Sequence, residues 1–499
     1  MMRSIREYHD GTSYDRLAMG GHFLDWGNQP DVYKHYPGAK RIPLPDEMDL
    51  PQPSLWGILC QGQALSRSGP VTLKDLARLL LLSYSRTARS RHPGGDFHYR
   101  SVPSAGALYP CELYVGVREV SGLAPGLYHY AIQDYSLTTL REGDVLGDLD
   151  DLPSAGPRDL PGSVFFVTAV SFRSAWKYRD RAYRYHLLDA GHLLEGISLA
   201  LMALGLQFRL DYDFDDAATN ALLGLDGKRE FCLAVIRVGG GVAQGSASGR
   251  TRGRLSPMPA SSPVALREID HPAIGEAHFI TSRVQGRPER DPDIPLHLGL
   301  TAGPWRPLPG SHGWPEIMNL PQAVWRRRSK RNFVDRGVSE QELDSLLTLL
   351  CAADPEVVGG TLTQDTVGVG FLAGKVEGLE PGLYILDRGR ALMAMSSPRP
   401  KVAQMAHVCL DQEWLAKAAL HFLFMSNLDL LERGWGPRGY RYAMMTAGRL
   451  AHRIYLGSTA MGMGCCGIGA LYDGEASQLL GLNASSRLLY LVAAGPVKR

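Results

Sequence analysis

Apolar and polar positions recur along the chain with two periods, which predict helices and strands. Residues 71–85 place leucines at helical spacing, and Thr72 with Asp75 resembles a capping box at the start of that helix. Residues 183–206 predict a second, longer and more apolar helix. Runs of β-branched and aromatic residues, typical of strands, occupy residues 113–118, 126–130, 163–172 and 231–238. The mixture predicts an α+β fold.

The second half of the chain repeats the first. Asp189-Ala-Gly-His-Leu matches Thr446-Ala-Gly-Arg-Leu at a spacing of 257 (446 − 189), and Arg181-Ala-Tyr-Arg-Tyr matches Arg438-Gly-Tyr-Arg-Tyr at the same spacing (438 − 181). One ungapped spacing over such a length predicts two fused copies of one domain, packed as an intramolecular pseudo-dimer. Upstream the spacing changes from 267 (338 − 71) to 256 (381 − 125), so copy two lacks about 11 residues (267 − 256) in this part of the repeat.

Composition changes divide the chain into four predicted segments. Residues 1–55 form an irregular arm, residues 56–240 copy one, residues 241–312 a Gly- and Pro-rich linker, and residues 313–499 copy two. His22 and Trp26 in the arm could cover a substrate mouth or cap the pseudo-dimer.

Charge and cysteine usage narrow the class of protein. A net charge of +2, with 44% hydrophobic and 21% charged residues, gives no reason to expect a nucleic-acid or membrane partner. No apolar run is long enough to cross a bilayer, and the start of the sequence lacks the apolar core of a secretory signal. Seven cysteines without a CxxC pair favour reduced thiols in a cytoplasm, and no cluster has zinc spacing, so we predict no metal.

Copy one alone contains the stretch Pro103-Ser-Ala-Gly-Ala-Leu-Tyr-Pro110. The prolines fix φ at both ends, and the small residues between them, Ser104, Ala105 and Gly106, would let a flat ligand approach the main chain. A tight loop that feeds the strand at 113–118 is the plainer reading of these residues.

Copy two alone contains the basic stretch Trp325-Arg-Arg-Arg-Ser-Lys-Arg-Asn-Phe333. Arginine side chains and a serine hydroxyl can make several charge-assisted hydrogen bonds to a phosphate. The alternative is a basic, solvated start of a helix.

These two stretches resemble motifs of the FMN-dependent nitroreductase superfamily, most closely its azoline-oxidase branch, the SagB/ThcOx-type dehydrogenases. The arm at residues 21–30 and residues 177–192 are similar to the same branch. The resemblance covers both copies and implies two nitroreductase-like domains, each a central mixed or antiparallel sheet flanked by helices. In that superfamily, two subunits form each flavin site between them.

The resemblance also implies which residues face the flavin. Phosphate-binding residues would be Arg327, Arg328, Ser329 and Arg331, with further contacts from Lys498 unless the terminus is frayed. The isoalloxazine ring would be bordered by Pro103, Ser104, Ala105, Gly106 and Leu108 from copy one. A glycine-rich turn at residues 461–470 would place a backbone N–H near flavin N5, with Gly469 and Ala470 as the candidates, and Gly467 of the same turn would also bind the cofactor.

Lys177 and Tyr178 correspond to a Lys-Tyr pair that is implicated in catalysis in the azoline oxidases. Copy two has Gly434 and Trp435 at the equivalent positions. A lysine or tyrosine beside an apolar flavin face can act as a base when its pKa is lowered. The alternative is a surface lysine and a packing tyrosine.

One FMN per chain is expected, because the motifs for a second, mirror-related site are missing. Residues 54–68 offer only Arg67 as a basic residue, and residues 352–366 hold no Pro-Ser loop. His186 and His192 are interpreted as core or interface residues, and Cys465 and Cys466 as small residues near the ring.

The resemblance therefore implies an FMN-dependent oxidoreductase that oxidises an azoline or a related heterocycle, in a small molecule or a peptide, with oxygen as the electron acceptor, and the cysteine usage favours a cytoplasmic one. One alternative is an NAD(P)H-dependent nitro- or quinone reductase. Another, of a different class, is a flavin-binding partner or scaffold without turnover. Substrate, electron acceptor and any further dimerisation of the pseudo-dimer stay open.

Overall fold

A computed structural model of the 499-residue chain describes residues 2–21, 23–61, 69–92, 95–147, 161–239, 258–284, 297–308, 318–352, 366–399 and 401–498. His22, and parts of the stretches 54–68 and 352–366, lie outside the described residues. Within them, no helix is long and apolar enough to cross a membrane.

The strands fall into two groups of similar length and order. The first half contains β1 (Arg41–Pro43), β2 (Arg86–His92), β3 (Gly95–Arg100), β4 (Cys111–Val117), β5 (Gly126–Ala131), β6 (Ser136–Glu142), β7 (Pro161–Val170), β8 (Phe208–Asp211) and β9 (Glu230–Gly239). The second half contains β10 (Arg306–Pro307), β11 (Gly368–Ala373), β12 (Gly382–Asp387), β13 (Leu392–Ser397), β14 (Leu420–Asn427), β15 (Gly464–Ile468) and β16 (Ser486–Gly495).

The two seven-stranded sheets have the same topology. The first has the order β1-β6-β5-β4-β7-β9-β8 and the second the order β10-β13-β12-β11-β14-β16-β15. All the strand pairs within them are antiparallel. β7 and β14 are buried between neighbours on both sides, as their continuous apolar runs require. The predicted duplication is confirmed, strand by strand.

The helices flank these sheets. They are α1 (Ile5–Gly11), α2 (Leu55–Gln61), α3 (Leu73–Ser83), α4 (Ser171–Tyr178), α5 (Ala182–Ala203), α6 (Asp216–Leu223), α7 (Pro272–Thr281), α8 (Leu320–Arg326), α9 (Glu340–Cys351), α10 (Val402–Val408), α11 (Leu428–Trp435), α12 (Gly439–Ala460) and α13 (Asp473–Leu480). The capping box predicted at Thr72 and Asp75 starts α3, and its repeat at Ser339 and Glu342 starts α9. One hydrophobic cluster extends through both copies.

The long helices α5 and α12 cross at glycines that are equivalent in the repeat. A Cβ on Gly191 would lie 2.2 Å from the carbonyl oxygen of Met445, and one on Gly448 would lie 2.3 Å from that of Leu188. Such contacts leave room only for glycine, so the two backbones touch directly. The crossing lies on the approximate two-fold relation between the copies, and both faces of α5 and α12 are therefore buried.

Two buried ion clusters show that the repeat extends further upstream than the sequence indicates. Asp473 accepts hydrogen bonds from Arg181 and Arg184, and His9 of α1 lies beside it at 3.7 Å. At equivalent positions, Asp216 accepts from Arg438 and Arg441, and His278 of α7 lies beside it at 3.7 Å. The helix α7, within the stretch interpreted as a linker, is thus the second copy's equivalent of α1.

Sequence reasoning missed this relation, because α1 and α7 share little beyond His-x-x-Thr-Ser, at His9 and His278. The arm is likewise less irregular than expected, since it contributes α1 and the edge strand β1.

Candidate active site

A pocket that is open to solvent lies between the two copies beside the α5–α12 crossing. Copy one lines it with Pro103, Ser104, Ala105, Gly106, Tyr178, Tyr185, Leu188, Asp189 and His192. Copy two lines it with Ser329, Arg331, Gln412, Tyr455, Cys466, Gly467, Ile468, Gly469, Ala470 and Tyr490. The two motifs that the sequence placed in different copies therefore meet at one pocket.

The copy-one wall is a short turn with unusual backbone angles. Residues Ala105–Ala107 form a single 3₁₀ turn, and Gly106, Ala107 and Tyr109 have φ values of 63°, 54° and 45°. A Cβ on Gly106 would lie 2.8 Å from the hydroxyl of Tyr178. Glycine is therefore required here both by φ and by the approach of Tyr178. Leu108 is buried and does not line the pocket.

Asp189 of α5 holds this turn from behind. The hydroxyl of Ser104 donates to its Oδ2 at 2.5 Å, and the backbone N–H of Ala105 donates to its Oδ1 at 3.2 Å. Burial raises the pKa of Asp189 to about 7, against the opposing effect of these two hydrogen bonds.

The copy-two wall is the glycine-rich strand β15 and the residues after it. The N–H of Gly467 donates to the hydroxyl of Tyr455 at 2.7 Å, and the same hydroxyl lies 3.0 Å from that of Ser329. A Cβ on Gly467 would lie 1.9 Å from the hydroxyl of Tyr490, and one on Gly469 would lie 2.6 Å from the ring of Tyr185. Both glycines are required because tyrosines from either copy pack against them.

The basic stretch is fixed against β15 and the C-terminal segment. The N–H of Lys330 donates to the carbonyl of Cys465 at 2.9 Å, and the N–H of Lys498 donates to that of Asn332 at 3.1 Å. This pairing turns Ser329 and Arg331 toward the pocket, where both are exposed. Lys498 lies beside the stretch and does not line the pocket.

Arg327 and Arg328 are largely committed to other contacts. Arg327 is 3% exposed, and its Nε and Nη2 donate to the backbone carbonyls of Ser101 and Arg100 at 2.6 and 2.9 Å. Arg328 donates to the carbonyl and hydroxyl of Thr87. Both arginines thus join copy two to copy one behind the turn, and one nitrogen of Arg327, Nη1, is buried without a hydrogen-bond partner.

Lys177 and Tyr178 end helix α4 at the pocket. The hydroxyl of Tyr178 points at Gly106, and its ring lies 4.3 Å from that of Tyr185. Lys177 is half-buried beside it, and burial together with the charge of Arg331 lowers its pKa. Burial raises the pKa of Tyr178 well above its usual value. A lowered lysine pKa produces a base, whereas a raised tyrosine pKa keeps a proton donor.

Several lining residues had no clear signal in the sequence. Asp189 and Tyr185 appeared there only as markers of the repeat, and Gln412, Tyr455 and Tyr490 were not singled out. His192, interpreted as a core residue, does line the pocket, and its Nε2 lies 3.1 Å from the hydroxyl of Tyr490. Burial lowers its pKa, so its imidazole is neutral.

The mirror-related position is filled with side chains in the described part of the chain. Tyr212 stands where the pocket has Gly469, and its ring contacts that of Tyr442 at 6.0 Å. Arg449 stands where the pocket has His192, and its Nη1 donates to Tyr212 at 3.5 Å. Its Nε donates to Glu195 at 2.8 Å.

Glu195 also accepts a hydrogen bond from Arg453 at 2.5 Å, so that a buried Arg–Glu–Arg cluster lies on this mirror-related side of the α5–α12 crossing.

Comparison with known proteins identifies the architecture. A family model described as the nitroreductase family matches residues 67–240 and 384–496. The chain belongs to the nitroreductase family. It is thus a nitroreductase-family oxidoreductase with two fused copies of the domain, and the predicted family and fold are confirmed.

Relatives within and around this family differ in how much of the chain they match. A provisionally named nitroreductase of Methanocaldococcus jannaschii is 28% identical over 169 residues, 32% of this chain and 82% of that protein. The trifolitoxin-processing protein of Rhizobium leguminosarum bv. trifolii is 31% identical over 156 residues, 30% of this chain and 42% of that protein. The crystal structure of a provisionally named nitroreductase from Anabaena variabilis covers 100% of both chains, with a TM-score of 0.77 and 27% identity.

Proposed function

We propose that this nitroreductase-family chain binds one FMN in the pocket between its copies and uses it to oxidise an azoline or a related heterocycle. The observation that carries the proposal is the unequal division of the pocket. Copy one contributes the small-residue turn and Tyr178, with Lys177 beside Tyr178, copy two contributes Ser329 and Arg331, and the mirror-related position is filled.

The lining residues fit a flat cofactor that ends in a phosphate. Arg331 and the hydroxyl of Ser329 offer charge-assisted hydrogen bonds at one end. At the turn, Ala105 and Gly106 line the pocket with almost no side chain, so a ring could lie against the backbone. Members of the nitroreductase family typically bind FMN.

When bound, FMN supplies a two-electron acceptor for the hydride that leaves a substrate carbon as a C=N or C=C bond forms. The proton lost in the same oxidation needs an acceptor from the chain. Lys177 suits this role, because burial and the nearby Arg331 lower its pKa and increase its neutral fraction. Tyr178 keeps its proton and can donate a hydrogen bond to the substrate. Oxygen is the proposed final acceptor of the two electrons.

The resemblance to the azoline oxidases supports a heterocyclic substrate, and the relative named a trifolitoxin-processing protein supports a peptide as its carrier. The match to that relative covers 30% of this chain and 42% of that protein, and it bears on the class of substrate.

Denaturing the purified protein and quantifying the released flavin tests this proposal. One FMN per chain is the expected result. Two FMN molecules per chain would contradict the inference that the mirror-related position is filled, and no FMN after reconstitution would contradict FMN binding in the pocket. Anaerobic mixing with NADPH tests the reductase alternative: rapid bleaching of the flavin would favour it, whereas reduction by an azoline-containing peptide alone supports the oxidase. A bound flavin that neither donor reduces would favour the non-catalytic scaffold.

A further inference from the structure

Asp189 is a buried carboxyl that faces the pocket and has no role so far. It is 5% exposed, and both of its oxygens accept hydrogen bonds from the copy-one turn, one from the hydroxyl of Ser104 and one from the N–H of Ala105. In the part of the chain that the structure describes, Asp189 forms no ion pair. Both of its oxygens are thus hydrogen-bonded to the turn.

The turn needs such support. Gly106, Ala107 and Tyr109 have positive φ values, and for residues other than glycine this conformation costs free energy unless neighbouring contacts hold it. The N–H of Tyr109 donates to the oxygen of Ser104 at 2.9 Å, and that same hydroxyl donates to Asp189. Ser104 therefore connects the far end of the strained segment to the carboxyl, and Ala105 connects its near end.

The two copies differ at this position in the way that such a role requires. The equivalent residue in copy two is Thr446, at the constant spacing of 257 (446 − 189). The Pro-Ser turn is found only in copy one, and so is the carboxyl behind it. A general packing role for this helix position would not call for a buried acid in one copy alone.

We propose that Asp189 is the positioning residue that holds the turn from Pro103 to Tyr109 in the conformation that borders the pocket. Only the further statement that this turn borders a flavin rests on the proposed function.

The proposal has a consequence for pH that follows from its surroundings. The groups that face Asp189 come from the turn, the helices α4 and α5, and the strands β4 and β16: Ser104, Tyr109, Cys111, Tyr178, Tyr185, His192 and Tyr490. These groups are neutral at pH 7, because burial raises the pKa of the tyrosines and of Cys111 and lowers that of His192. The charge of Arg331 lies across the same pocket.

Opening of the turn would admit water to Asp189 and return its pKa toward the ordinary value of an aspartate. The closed turn, where burial raises that pKa to about 7, then binds more protons than the open one. Linkage therefore favours the closed turn at low pH, and this preference declines as pH rises toward about 7.

Hydrogen–deuterium exchange of peptides that cover residues 101–112 tests the proposal, with rates corrected for the intrinsic effect of pH. In the wild-type protein we expect protection to fall by up to about tenfold per pH unit between about pH 5 and about pH 7, and then to level off. Asp189→Asn can still hydrogen-bond Ser104 and Ala105, so it should keep protection without this pH dependence. Asp189→Thr, which copies the residue of copy two, should lose protection by about tenfold or more at every pH.

Two further variants complete the test. Thr446→Val alters the equivalent position of copy two and should leave residues 101–112 unchanged. Ser104→Ala removes the connecting hydroxyl from the surface of the pocket and should lower protection even if Asp189→Thr fails to fold. Unchanged protection in Asp189→Thr or in Ser104→Ala would overturn the proposal, whereas wild-type protection that does not vary with pH would contradict the raised pKa of Asp189.

Flavin retention separates this inference from the proposed function. Faster exchange in Asp189→Thr together with about tenfold weaker FMN binding supports both. Faster exchange with unchanged FMN binding would support the positioning role of Asp189 and contradict the placement of the flavin at this turn.

Discussion

The two sides of the α5–α12 crossing, related by the approximate two-fold between the copies, have opposite contents. On one side a pocket opens to solvent, lined by Gly467, Gly469, Tyr455 and Tyr490 among others. On the other side, Tyr212 and the cluster of Glu195 with Arg449 and Arg453 fill the equivalent space. A symmetric dimer of identical chains cannot differ in this way, because each substitution would appear at both sites. Fusion allows one side to hold a pocket while the other side is part of the core.

The largest expected effect concerns the proposed catalytic pair, Lys177 and Tyr178, which lies only on the pocket side of the α5–α12 crossing. Lys177→Met keeps the aliphatic stem but removes the base, so substrate-dependent flavin reduction should slow by at least about a hundredfold. Stopped-flow absorbance at the flavin band measures this rate. FMN content should stay unchanged, and Lys417→Met, an exposed lysine of copy two, should have no effect.

The wild-type rate should also rise with pH through the pKa of Lys177, since the neutral amine is the base. Because burial and Arg331 lower that pKa, the rise should come at lower pH than for an ordinary lysine. An unchanged rate of flavin reduction in Lys177→Met would contradict the proposal that Lys177 is the base.

The second effect concerns the mirror-related side of the α5–α12 crossing, which side chains fill. Glu195→Ala leaves Arg449 and Arg453 buried without their shared carboxylate, which should lower the free energy of unfolding by about 3–5 kcal/mol. Chemical denaturation followed by circular dichroism measures the loss. The matched control is His452→Leu, at the equivalent helix position beside the pocket, where burial keeps the imidazole neutral and the cost should be smaller. An equal loss of unfolding free energy in Glu195→Ala and His452→Leu would contradict this difference between the filled side and the pocket side.

The smallest effect concerns the phosphate end. Arg331→Ala should weaken FMN binding by about tenfold to a hundredfold, the value of a charge-assisted hydrogen bond or two. Fluorescence titration of the apoprotein with FMN provides the dissociation constant. Arg336→Ala, exposed and a few residues further along, is the control and should bind as wild type. Arg327→Ala should instead lower stability as well as FMN binding, since two of its nitrogens join the copies. Unchanged affinity in Arg331→Ala would contradict its assignment to the phosphate.

Much of this comparison was predictable from the sequence. The spacing of 257 between the repeats, the capping boxes at Thr72 and Ser339, and the strand runs depend on local propensity and periodicity, which a linear sequence displays directly. The motifs around Ser104 and Ser329 are also local, so the sequence shows which copy contains each, although it does not show that they line one pocket.

The partners of individual side chains were decided by the tertiary structure. Arg327 and Arg331 belong to one basic stretch, yet one donates to carbonyls of copy one and the other faces the pocket. Asp189 was a marker of the repeat until the fold placed Ser104 and Ala105 against it. Hydrogen bonds and desolvation depend on contacts between residues far apart in the chain. The sequence by itself therefore determined two unlike copies, whereas only their packing decided on which side of the α5–α12 crossing a pocket opens and which residue holds the turn that lines it.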